Sequence, residues 1–199
     1  MRIGMGLLIL DGMLVRRVGV AGRFGAELLG EGDLLRPGQR EDVGTTLPRT
    51  AGWRALRPTR MAVLDGGFAV RAARYPELMS KLLARAVRRS RHMAVTMAIV
   101  HQPRIEIRLE MLFWELADRW GKVRQDGIHV PVQLTHATLA ELIAARRPTV
   151  TKALGELADR SIVRWTGTDW LLTGQPPAEL DGLGSIPIAE RARTEPAEA

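Results

Sequence analysis

The 199-residue chain contains no cysteine. That absence removes a disulfide frame, a thiolate zinc site, a cysteine-ligated iron–sulfur cluster and a cysteine nucleophile, because each needs sulfur. No apolar run approaches the ~20 residues that a membrane-spanning helix requires. The short apolar stretch at residues 5–10 ends at Asp11 and is too brief and too weakly flanked for a signal peptide. There is no P-loop, no His-Glu-x-x-His and no Gly-x-Ser-x-Gly, and the four histidines lack metal-ligand spacing. Scattered Asp and Glu show no paired spacing of the kind that acid–base catalysis uses. The expectation is a soluble, cytoplasmic protein that is not an enzyme and carries no metal or cofactor.

What is present is a core and a positive charge. Hydrophobic residues make up 46% of the chain, enough to bury an interior. Net charge is +7, and residues 81–164 alone carry it, with fifteen Lys and Arg against eight Asp and Glu. A basic body of this kind suits a polyanionic partner. The end of the chain is acidic, and residues 175–199, rich in Pro, Gly, Ala and Glu without apolar periodicity, read as a mobile tail.

Residues 134–172 read as a helix, a tight turn, a second helix and a two-stranded wing. Leu139, Leu142 and Ile143 fall at i, i+3 and i+4, and Thr135 stands just before them as an N-cap. The small step Ala144-Ala145-Arg146 leaves room only for a sharp crossing. Pro148 suits the first turn of the next helix, where a missing N–H is harmless. Val150, Leu154 and Leu157 then form an inward stripe, while Arg147, Thr149, Thr151 and Lys152 lie opposite, on the turns a major groove can receive. Residues 162–165 and 170–172 are β-prone runs around Thr166-Gly167-Thr168-Asp169, a hairpin signal.

Upstream, residues 6–10, 13–20, 27–29, 53–56 and 61–64 read as short strands, with Asp11-Gly12 as a tight hairpin turn and residues 36–50 as a loop. From Pro76 the period becomes helical. Met79, Leu83, Ala86, Ser90, Met93, Met97 and Val100 step alternately by four and three, a heptad seam suited to two-fold pairing in a homodimer. His101-Gln102-Pro103 breaks that helix. Residues 104–120 restart it, with Ile105, Leu109, Leu112, Phe113, Leu116 and Trp120 on one apolar face, and Gly121 stops it. Residues 128–134 read as an edge strand because Pro131 interrupts them.

The run LAELIAARRPTVTKALGELADRSIVRW resembles the DNA-binding domain of the Crp/Fnr transcription regulators, and the likeness is specific over residues 104–173. The resemblance implies an α+β fold: a partial, cyclic-nucleotide-binding-like β-roll over residues 1–75, a long dimerisation helix over 76–101 and a winged helix-turn-helix over 104–174. The first strands of such a roll are missing, which implies either a start placed too late or a degraded domain. The Gly-Glu-Leu step that holds the ribose in cyclic-nucleotide binders is absent after Gly32-Asp33; only Arg49-Thr50 resembles the phosphate half, so cyclic AMP is not expected and any effector is open.

The function implied is sequence-specific binding of double-stranded DNA by a homodimer through residues 147–160, with RNA polymerase as a further partner. By the same resemblance Arg147 reads guanine, Lys152 is a second basic base-reader, Thr149 touches phosphate, and Pro148 replaces a common glutamate. Arg146 at the turn, with Arg164 and Thr166 on the wing, contacts phosphates. The alternative is a ligand-sensing or interaction scaffold whose DNA-binding domain has decayed.

Overall fold

A computed structural model describes residues 4–35 and 49–177. The chain opens with a four-stranded antiparallel sheet: β1 (Gly6–Val20), β2 (Arg23–Gly30), β3 (Leu34–Leu35) and β4 (Arg49–Leu64). β1 is its spine, pairing with β2 and β3 along one edge and with β4 along the other. Val20 faces Arg23 across a two-residue turn in which Ala21 and Gly22 both have positive φ, the twist that a right-handed hairpin needs.

Asp11-Gly12 is not the expected hairpin turn. β1 runs straight through it, and its register against β4 slips between Ile9 and Leu14. Gly12 sits at φ +103°, and a Cβ there would stand 2.4 Å from Thr59 Cα. A bulge with a tight backbone approach uses the same glycine signal as a turn, and here it bends a long strand. The two strands expected at residues 53–56 and 61–64 are likewise one, β4, whose Pro58 falls opposite the irregular stretch where no ladder bond is lost. Arg49 and Thr50, expected in a loop, begin β4; residues 36–48 of that loop lie outside the described residues.

A short helix that the sequence pattern did not suggest, α1 (Gly66–Ala72), follows, capped by Asp65 Oδ1 accepting from Phe68 N at 2.7 Å. Next comes α2 (Pro76–Val100), with Pro76 in its first turn and an end at His101, ahead of Pro103. Its inward stripe is offset from the expected seam. Leu82 and Ile99 are buried, Arg85 donates to Gly32 O, and Arg89 forks onto both carboxylate oxygens of Glu27. The seam itself faces outward: Leu83 is 65% exposed and Met97 63%, with Ala86, Ser90 and Met93 also exposed and Met79 and Val100 half-buried.

α3 (Ile105–Trp120) ends at Gly121 and leads into β5 (Lys122–Arg124) and β6 (Gly127–Val130). Then come α4 (His136–Leu142), α5 (Arg147–Asp159), β7 (Val163–Trp165) and β8 (Trp170–Leu172). The second sheet has the order β5-β6-β8-β7, so β6 is an interior strand and not an edge. Pro131 lies one residue beyond it, where it ends the strand without breaking the ladder.

One core runs through both parts of the chain. Leu109, Leu112, Phe113 and Leu116 of α3 pack with Leu139, Val150, Leu157 and Trp170, and the same cluster takes in Met13 and Val15 of β1 and Leu28 of β2. The sheet therefore buries one face on the helices that follow it. Its neighbours in sequence, Leu14 and Leu29, alternate onto the other face with Ile9 and Leu35.

Candidate nucleic-acid interface

α4 and α5 meet as the apolar periodicity requires. Thr135 caps α4 by accepting from Thr138 N at 3.1 Å, and Thr138 is itself fully buried. The connection is tight because Ala144 takes a left-handed conformation, φ +53°, and Ala145 N reaches back to Ala140 O at 2.9 Å. α5 starts at Arg147 with Pro148 in its first turn. Val150, Ala153, Leu154 and Leu157 are buried against the core.

The opposite face of α5 is open. Arg146, Arg147, Pro148, Thr149, Thr151 and Lys152 are all exposed, as are Arg164 and Thr166 on the wing. The sequence-predicted residues are thus all exposed, but they are not equally available. The Thr151 hydroxyl lies 3.1 Å from Arg147 O and 2.9 Å from Nδ1 of His136. Lys152 Nζ stands 3.6 Å from Glu156 Oε1, one turn on, in a pair exposed enough to be exchanged for another anion. The Thr166 hydroxyl is occupied inside the wing turn, where it bonds Asp169 Oδ1 and accepts from Asp169 N.

The wing has a fixed base. His129 on β6 is buried, with Nδ1 3.0 Å from Asp169 Oδ2 and Nε2 2.9 Å from Asp126 Oδ1. A neutral imidazole has one N–H, whereas both nitrogens here face carboxylates, so the charged ring satisfies the site. The hydrogen bond to Asp126, then that to Asp169, raises the His129 pKa above the ordinary histidine value. Asp169 is held below the usual carboxylate range, first by Thr166 and further by His129, and Asp126 is lowered chiefly by His129. Sequence reasoning missed this cluster. Asp169 lies 40 positions from His129, and no local pattern announces such a pair.

The sheet also grips α4. Arg54 of β4 donates from Nη2 to Thr138 Oγ1 and to Glu141 Oε2, both at 3.2 Å, and Arg17 of β1 approaches Glu141 Oε1 at 3.8 Å. Among the described residues no group of three or more His, Asp or Glu side chains is placed to hold a metal ion, and no helix is long and apolar enough to cross a membrane.

A winged helix-turn-helix joined by a long helix to an antiparallel sheet is a definite architecture, and it can be compared with those of known proteins. Residues 107–176 match the profile described as the Crp-like helix-turn-helix domain. A curated relative, the CRP-like cAMP-activated global transcriptional regulator of Mycobacterium tuberculosis, is 28% identical over 148 residues, which is 74% of this chain and 62% of the relative. The chain thus spans a little under two thirds of the length of the curated relatives it matches. Among solved structures, FixK2 from Bradyrhizobium japonicum covers 100% of this chain and 91% of its own at 16% identity, with a TM-score of 0.64. A CRP-family transcriptional regulator from Thermus thermophilus, TTHB099, is 22% identical with a TM-score of 0.61, covering 90% of this chain and 87% of its own. These likenesses show the fold: α+β, with a partial β-roll, a long helix and a C-terminal winged helix-turn-helix. Residues 107–176 are thus similar to Crp-like helix-turn-helix domains.

Proposed function

We propose that this protein is a DNA-binding transcription regulator that acts as a homodimer on a pseudo-palindromic site. The observation that carries the reading is the two-sidedness of α5. Val150, Leu154 and Leu157 lock its inner face into the core, while Arg147, Thr149 and Lys152 project from its outer face into solvent. A recognition helix must be rigid on one side and chemically free on the other. Arg147 has the fork geometry to read guanine O6 and N7, and Lys152 supplies a second cation at the bases. Arg146, Thr149 and Arg164 hold phosphates and set the register. Thr151 and Thr166 act mainly by shaping α5 and the wing, because their hydroxyls already have protein partners. Pro148 offers no acceptor to a base amino group, so the preferred half-site differs from one read by a glutamate.

The outward seam of α2, from Met79 to Val100, supports the pairing of two such chains, an arrangement that sets recognition helices about one helical turn apart. In this reading residues 1–75 are the effector-like unit, 76–101 the dimerisation helix and 104–174 the DNA-binding unit, working in the cytoplasm with RNA polymerase as a further partner. The relative's activation by cyclic AMP is not carried over, since no Gly-Glu-Leu step follows Gly32-Asp33.

Selection from a pool of random duplexes tests the proposal. An enriched inverted repeat with half-sites about 10 base pairs apart, centre to centre, supports it. Enrichment of a single unpaired motif removes the dimer, and no enrichment at all removes the sequence-specific reading.

A further inference from the structure

The flank of α2 opposite the seam carries Arg85, Arg88 and Arg91 at i, i+3 and i+6, neighbours along one side of the helix. They form one wall of a cavity of about 430 Å³, a volume typical of small-molecule sites. The turn between β2 and β3 and the end of α3, at Trp120, supply the other walls. No seam residue and no residue of α5 or the wing borders this cavity.

Two arginines hold the walls in place. Arg119 of α3 donates from Nη2 to Asp33 Oδ2 at 2.7 Å and from Nη1 to Leu28 O at 3.0 Å, and its guanidinium covers the Trp120 ring. Arg85 donates to Gly32 O at 3.0 Å, and Gly32, at φ +85°, leaves no room for a Cβ beside that guanidinium. His92, also on the α2 wall, is turned to Glu115. Arg88 and Arg91 differ from these. Both are exposed, and among the described residues neither has a hydrogen-bond or ion-pair partner. Glu31 and Asp118 border the same cavity, are exposed as well, and pair with no arginine among the described residues. Free cations and free carboxylates thus line one cavity without neutralising each other.

We infer that this cavity binds a phosphorylated sugar or polyol. Arg88 and Arg91 take the phosphate, because a guanidinium fork presents parallel N–H donors to two phosphate oxygens. Ionised Glu31 and Asp118 can only accept, so they receive hydroxyl protons from the rest of the ligand. The same two carboxylates repel a ligand whose groups are all anionic, which sets one phosphate with neighbouring hydroxyls above a polyanion. The walls are already bonded together by Arg85 and Arg119, so little ordering is left for the ligand to bring about. An occupant touches the sheet turn, α2 and α3 at once. The inference does not depend on the reading of α5, and a failure of DNA binding leaves it intact.

Isothermal titration calorimetry on the full chain at constant salt tests it, with glucose 6-phosphate, inorganic phosphate and glucose as probes. Glucose 6-phosphate should bind saturably, inorganic phosphate more weakly and glucose not at all. Arg88→Gln and Arg91→Gln should each weaken glucose 6-phosphate about tenfold, the size of a lost charge-assisted bond. Their Tm should match the wild type, since neither side chain has a partner to lose. Asp118→Asn should weaken glucose 6-phosphate while leaving inorganic phosphate as tight or tighter. No heat with glucose 6-phosphate, or binding that survives both arginine substitutions, overturns the site. Equal affinity for glucose 6-phosphate and inorganic phosphate, unmoved by Asp118→Asn, overturns the assigned class of ligand.

Discussion

Arg54 of β4 and Glu141 of α4 lie 3.2 Å apart, joining the sheet to the helix that carries the recognition turn. Arg17 approaches the second oxygen of the same carboxylate, and Thr138 shares the Arg54 guanidinium. The pair is partly solvated, so its worth is modest. Glu141→Gln should cost less than ~1 kcal/mol at low salt and almost nothing at 1 M salt. Denaturant titration at both salt levels reads this directly, and a salt-independent loss would mean that Glu141 acts through packing.

The apolar contact between the two parts is the stronger one. Leu28 of β2 is buried in the same cluster as Leu109, Leu139 and Leu157. Leu28→Ala should therefore cost ~2–5 kcal/mol. Hydrogen exchange should show protection falling together in β1 and α5, because one core holds both. Loss in β1 with α5 unchanged would show two cores instead.

The His129 cluster makes wing stability depend on pH in a defined direction. The raised His129 contributes stability that is fully present below the ordinary histidine pKa of about 6.5 and is lost as pH rises through its higher folded value. The lowered Asp126 and Asp169 contribute stability present above about pH 4 and lost as pH falls through their folded values. The cluster is thus strongest between roughly pH 4 and 6.5. The difference in Tm between wild type and His129→Ala should be widest in that window and narrow as the solution becomes alkaline. A difference that grows above neutrality contradicts the ion-paired imidazolium.

Pairing through α2 predicts a clean separation of assembly from folding. Met97 is 63% exposed in the single chain, so Met97→Glu should leave the helical signal and Tm of the protomer almost unchanged. Sedimentation equilibrium should then report half the wild-type mass, and affinity for a two-half-site duplex should fall sharply. An unchanged mass would place the dimer contact elsewhere.

The parts legible in the sequence are those whose signals are local. Pro76 and Pro103 bracket α2, Thr135 caps α4, Pro148 opens α5, and Val150, Leu154 and Leu157 repeat at helical spacing; each can be read within a few residues. The open face of α5 follows from the same spacing. Less legible was anything decided by a distant strand. Asp11-Gly12 is a turn signal, but thirteen residues of β1 find partners in β4 and carry the chain through as a bulge. Pro131 looked like an edge marker until β8 covered β6. His129, His136, Arg54 and Glu141 gain their roles from partners that only the fold brings near, and the pattern along the chain is silent about them. The same holds for Thr151 and Thr166, whose hydroxyls look free in sequence and are engaged in the fold.

The central claim is that the outer face of α5 reads DNA sequence, and the most direct measurement is fluorescence anisotropy on a selected duplex and a scrambled one, from low to physiological salt. The wild type should prefer the selected duplex at physiological salt. Arg147→Ala should lose about 1–3 kcal/mol on it, with specificity relaxed at one base pair. Equal affinity for both duplexes that fades steeply with salt would reduce the interaction to counterion release and contradict the account.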